Sequence, residues 1–160
     1  MLFRSNSDAQ DLFGSSVSIE GDTLAVGAEG EASNQTTITN DNSNASADNS
    51  NTSSGAVYVY KRSGSTWAQE AYIKAANNVD FKFRGSEFGE DVSIDGDTLA
   101  VGVHSEDSNQ TTITNGTTAS NNDSNTSSGA VYVYKRSGSS WAQEAYIKAV
   151  NNDEIGRAHV

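Results

Sequence analysis

Gly55-Ala56-Val57-Tyr58-Val59-Tyr60-Lys61-Arg62-Ser63-Gly64-Ser65 returns unchanged as Gly129 through Ser139, 74 residues further on. Upstream, Asp11-Leu12-Phe13-Gly14 finds its counterpart in Ser86-Glu87-Phe88-Gly89 at an offset of 75, so one residue is lost between the two blocks. The register then holds to Trp141 and Ile147. A period this long, built from strand-like segments, marks an array whose units bury their apolar faces only against one another. It divides the chain into one repeat over 6–80 and another over 81–154.

Each repeat carries four strand signals. Ser16-Val17-Ser18-Ile19 alternates polar and apolar residues, the period of a strand. Thr23 to Gly27 follows a turn at Glu20-Gly21-Asp22, whose counterpart Asp95-Gly96-Asp97 contains a hairpin-forming Asp-Gly pair. Ala56 to Tyr60 is β-branched or aromatic at every position after the alanine, so both its faces are expected to be covered. After a second turn at Arg62 to Ser65, Trp67 to Lys74 mixes charge with apolar residues, as an outer strand does. Four antiparallel strands with two greasy faces describe a propeller blade. The expected fold is all-β: two four-stranded antiparallel blades of about 75 residues, part of a larger ring, with a β-sandwich as the alternative. No stretch sustains the apolar spacing of a helix.

Between the second and third strands, residues 33–54 and 108–128 are almost wholly Asn, Ser, Thr, Asp and Gln. Such composition buries too little to offset ordering, so each loop reads as a mobile, solvated excursion from one rim. Most differences between the copies fall in loops, at 28–32 against 103–107 and 41–50 against 116–124. A fixed scaffold under a varying rim suits a binding surface, and recent duplication with drift is the plainer account.

The 160 residues include no Cys, which excludes disulfides and thiolate metal sites, and no Pro. A net charge of −11 argues against nucleic acid as a partner. Lys61-Arg62 and Lys135-Arg136 read as solvated turns. No run is long and apolar enough to span a membrane, and no signal peptide is visible. Met1 to Ser5 and Ile155 to Val160 can be back-translated as two strands of one inverted sequence that resembles a sequencing adapter. Residues 1–5 and 155–160 therefore read as adapter-derived, and the stretch from Asn6 to Glu154 as native.

Phe13-Gly14, Val17, Gly21-Asp22, Ala25 to Ala28 and Gly55 to Tyr60 together resemble the FG-GAP repeat, and the second copy repeats the pattern from Phe88-Gly89 to Tyr134. That family builds the seven-bladed propeller of integrin α subunits and recurs in bacterial surface and secreted proteins. The resemblance implies a propeller, an extracellular or cell-surface location and a role in adhesion. Two departures stand out. The Gly-Ala-Pro element is Gly27-Ala28-Glu29 in one copy and Gly102-Val103-His104 in the other, without its Pro. The Ca²⁺ loop of many family members is missing from both copies, although Ca²⁺ in other blades would fit the family. Asn40, Asn42, Asn44 and Asp48 mimic the alternating oxygen ligands such a loop needs. Ala45 and Ser46 stand where its Gly belongs, and Asn121 to Asn125 do not reproduce the spacing. No metal or cofactor is expected in these two units.

Catalytic signals are equally thin. Gly64-Ser65-Thr66-Trp67 matches the tail of a sialidase Asp-box, but Arg62 occupies the Asp position and Tyr60 the Ser position. Glu70, Glu144, Asp22 and Asp97 read as solvated structural carboxylates rather than a glycosidase pair. A hydrolase triad would need His104 or His159, the first in a variable loop and the second in the adapter-like end. Sequons at Asn34, Asn44, Asn51, Asn109, Asn115, Asn122 and Asn125 fall in the long loops, where such composition makes them by chance. The sequence thus predicts no catalytic residue and a non-catalytic binding or adhesion module, with a protein or glycan ligand. The alternatives are a scaffold for an enzyme whose site lies elsewhere, or a structural spacer. With two apolar sheet faces left open, the chain is expected to self-associate or express poorly.

Overall fold

The computed structural model describes residues 9–41, 48–78 and 85–152. The adapter-like ends, together with Asn42, Asn44, Ala45, Ser46 and His159, lie outside the described residues. The strands are β1 (Phe13–Glu20), β2 (Thr23–Ala28), β3 (Ala56–Ser63), β4 (Thr66–Ile73), β5 (Asp91–Asp95), β6 (Thr98–Val103), β7 (Ile113–Asn115), β8 (Ala130–Ser137) and β9 (Ser140–Ile147). They form two antiparallel sheets in the orders β1-β2-β3-β4 and β5-β6-β8-β9-β7. All four expected strands are present in each repeat, and the second sheet gains a fifth from its polar loop. Among the described residues there is no helix, and none long and apolar enough to cross a membrane.

The hairpin turn is as short as expected but shifted by one residue, with Gly-Asp rather than Asp-Gly in the loop. Asp95 pairs with Thr98, leaving Gly96-Asp97 as the two-residue loop. Gly96, at φ +55°, takes the first loop position, where a twist-matched hairpin turn needs a left-handed residue.

Each sheet is one blade, and the blades stack in the same sense rather than face to mirrored face. On β3, Val57 and Val59 point to one side and Tyr58 and Tyr60 to the other; β8 repeats this with Val131, Val133, Tyr132 and Tyr134. Val57 and Val59 share one core with Phe88, Val92, Ile94, Tyr132, Tyr134 and Trp141, so the valine side of the first blade receives the tyrosine side of the second. A sandwich would leave polar outer faces. Here equivalent apolar residues are buried at the junction and bare at the ends: Val92 is 6% exposed and Val17 64%, Phe88 0% and Phe13 56%. On the opposite side, Val57 is 0% exposed and Val131 38%.

Glycine sets the closeness of the junction. A Cβ on Gly27 would stand 1.8 Å from the Gly89 carbonyl oxygen, a contact that only hydrogen permits. Ser16 Oγ donates to the same carbonyl at 2.7 Å, and Ile94 N–H donates to Ser18 Oγ at 3.0 Å. The polar positions of β1 therefore face the neighbouring blade, while Val17 and Ile19 face away from it.

Candidate functional site

The polar loops are anchored rather than mobile along the stretches described, which corrects the reading from composition. Thr39 exchanges two backbone hydrogen bonds of 2.9 Å with Tyr72, and β7 pairs with β9 through Ile113, Thr114 and Asn115. Composition cannot foretell this. An edge pairing needs only backbone N–H and C=O groups, which a Thr-rich run supplies as well as a Val-rich one.

At the root of each loop sits a buried polar knot built twice. Lys74 Nζ donates to Glu31 Oε2 at 2.6 Å and to Ser54 Oγ at 2.7 Å, with both ion-pair side chains 0% exposed. Ser33 N–H donates to Glu31 Oε1 at 3.1 Å, and Ser33 Oγ lies 2.8 Å from the Tyr72 hydroxyl. Lys148, Glu106, Ser128, Ser108 and Tyr146 repeat the arrangement in the second blade, with Lys148 Nζ at 2.5 Å from Glu106 Oε2. Asn78 and Asn152 clamp the next turn, each donating to two loop carbonyls at 2.6–2.9 Å. Burial pulls the Lys74 ammonium below its ordinary value, with Glu31 opposing the shift. Burial pushes the Tyr72 and Tyr146 hydroxyls far up, so both stay protonated donors. Lys74 closes a strand whose mixed pattern reads as outer, and the structure buries it against the Glu31 carboxylate and the Ser54 hydroxyl. One signal did mark the knot: within 28–32 against 103–107, only the glutamate, Glu31 and Glu106, is the same in both copies.

The junction between blades holds a second polar set. Glu70 Oε2 accepts from Arg136 Nη1 at 3.2 Å and from Trp141 Nε1 at 3.0 Å, and Arg136 lies over the Trp141 ring. Arg136 Nε also donates to Asp97 at 2.7 Å. Glu70 and Arg136, expected in solvent, are each only 10% exposed, because the neighbouring blade covers them. The carboxylates expected to lie in solvent otherwise do so: Asp22 meets Arg62 across a surface turn, Asp97 is more than half exposed, and Glu144 is exposed. Glu70 and Asp97 share one partner, the Arg136 guanidinium.

Between the first loop and the second blade lies a cavity of about 260 Å³, walled by Thr36, Thr37, Ile38, Tyr134, Trp141 and Gln143 among others. Tyr134 and Gln143 are cross-strand partners. The Tyr134 hydroxyl and Gln143 Oε1 are buried there without a hydrogen-bond partner, although Gln143 Nε2 donates to the Gly116 and Thr118 carbonyls. The pair is suited to a hydroxyl-bearing guest, which would donate to the amide oxygen while meeting the phenol.

The candidate metal and modification positions divide clearly. Asn40 spends its amide on the next blade, donating to the Trp141 carbonyl at 3.0 Å and accepting from Trp141 N–H at 2.7 Å. Asp48 Oδ1 accepts from Ser50 and from Asn34 N–H, the closing contacts of a loop turn. Its counterpart Asn122 accepts from Ser124 in the same way. Those hydrogen bonds close loop turns and make a contact between blades. His104 instead pairs with Glu90, and with Glu87 nearby the three present ligand atoms within 4.8 Å of one another. The first copy has Glu29, Ser15 and Leu12 at these positions. Of the sequons, Asn51 and Asn125 are buried, their amides donated to Asn78 and Asn152. Asn34, Asn109, Asn115 and Asn122 are exposed.

Residues 2–60 match the family described as FG-GAP repeat, which spans the first blade as far as Tyr60. No curated protein matches the chain.

Proposed function

The first unit of this chain is an FG-GAP repeat, its near-identical second unit extends the same array, and from this we propose a non-catalytic binding module of adhesion type. It acts outside the cell or at its surface, and it meets a protein or glycan through the loops of one rim. One observation carries the reading. The roots of both loops are locked by the same buried Glu-Lys-Ser-Tyr knot, while the segments beyond them, 41–50 and 116–124, differ between copies. Fixed roots under varying tips fit a surface tuned for partners, since a rigid scaffold lowers the ordering cost of binding.

The test replaces 41–50 and 116–124 with Gly-Ser of equal length, leaving both knots intact, and compares binding to glycan and extracellular-matrix arrays. Binding by the parent chain that disappears in the replaced chain, with an unchanged strand spectrum, supports the module. Binding that survives both replacements refutes the rim. Turnover of a glycoside or ester substrate by the purified chain would move the assignment to an enzyme.

A further inference from the structure

The two ends of this molecule are each other's complement. At the junction, Phe88-Gly89 lies against Gly27, Gly55 and Ala56, and Val92 and Ile94 bury beside Val57 and Val59. The equivalents of that docking edge, Phe13, Val17 and Ile19, are exposed at one end of the chain. The equivalents of the receiving surface line a cavity of about 530 Å³ at the other end, formed by Gly102, Gly129, Ala130 and Val131 among others.

We propose that this cavity is a socket for the Phe13-Gly14 edge of a second copy of the chain, so that copies add head to tail. Several polar contacts of the internal junction have their counterparts at the open ends, although Ser16, which donates to the Gly89 carbonyl, is replaced by Asp91. Trp67 and Arg62 correspond to Trp141 and Arg136, and the exposed Glu144 corresponds to the Glu70 they would meet. Asn115, the counterpart of Asn40, is exposed and placed to bracket the backbone of the incoming Trp67. Ser93 stands where Ser18 receives Ile94 N–H. Apolar burial supplies the drive, and the polar set fixes the register. The contact is heterologous, pairing two different surfaces, so it continues until geometry closes a ring or leaves a filament. It stands or falls independently of what the loop tips bind.

Two substitutions separate the ends. Gly102→Ala adds a Cβ whose nearest neighbour in the monomer is Asp91 Cβ at 3.7 Å, an ordinary contact. At the equivalent Gly27 the same atom would meet the docked Gly89 carbonyl at 1.8 Å, so Gly102→Ala closes the socket without disturbing the blade. Val17→Glu charges the docking edge at a residue that the monomer leaves exposed. Sedimentation velocity of the full chain over a hundredfold concentration range is expected to show growth beyond monomer. Each variant alone should associate at least about tenfold more weakly, the scale of an overpacked contact. Mixed in equal amounts, the two should form a heterodimer and stop, because Gly102→Ala still offers a docking edge and Val17→Glu still offers a socket. A parent chain that stays monomeric throughout overturns the proposal. So does association lost in only one variant, which marks a symmetric contact, or a mixture that fails to pair although both variants keep the parent's melting temperature.

Discussion

Lys74→Met tests whether the loop roots are held by a buried ion pair. In the native chain the ammonium touches Glu31 at 2.6 Å and Ser54 at 2.7 Å with no exposed surface on either charged side chain. Methionine matches the aliphatic stem but takes the cation from a carboxylate that water cannot reach. Removing one partner of such a pair costs about 3–5 kcal/mol. For a chain of this size each kcal/mol moves the melting temperature by roughly 2–4 °C, so the expected loss is about 6–20 °C. The Lys74→Met, Glu31→Leu double variant removes both charges and should recover most of the loss, because an apolar replacement of a buried pair is often neutral. Urea unfolding followed by circular dichroism measures both losses, with Lys148→Met as the internal duplicate. A Lys74→Met loss below about 1 kcal/mol, the range of an exposed pair, would refute the buried knot. So would a double variant that recovers none of the loss.

Three further outcomes follow from the same geometry. Burial raises the hydroxyl pKa of Tyr72, Tyr132, Tyr134 and Tyr146 above the ordinary 10.0, so their stabilisation is complete below pH 10 and is lost as pH rises further. Each tyrosine contributes about 1.4 kcal/mol per pH unit, outweighing the opposite trend of Lys74, so absorbance at alkaline pH should show the tyrosines ionising together with unfolding. Tyr134→Phe removes a buried hydroxyl that has no partner and should raise stability by about 1 kcal/mol in the absence of a guest; a loss of that size would show the hydroxyl is satisfied in solution. Arg136→Ala should cost about 2 kcal/mol by stranding Glu70 at the blade junction, whereas Arg62→Ala at the open end should cost under about 0.5 kcal/mol, and equal losses would contradict the junction described.

The strands were legible because the chain states them twice. Val57-Tyr58-Val59-Tyr60 reads as buried on both faces, and β3 is buried on both; the identical Val131 to Tyr134 is not, since no blade covers its valine side. Identical sequence with different burial is the mark of an array, where environment comes from the neighbour and not from the strand itself. The same reasoning explains what the sequence concealed. A lysine closing a strand and a glutamate in a variable turn each look solvated, because the signal for burial lies in their pairing across 43 residues. The Asn and Thr loops look unstructured because their hydrophobic content is low, yet they dock through backbone groups and carboxamides that composition scales treat as solvated. Glu70 and Arg136 look solvated in the sequence for one shared reason: each completes its contacts only on the adjacent blade. Whatever is read as surface on Arg62, Glu144 and Asn115 is therefore surface only until another blade arrives. For these residues the neighbouring blade, and not the strand that carries them, sets what counts as surface.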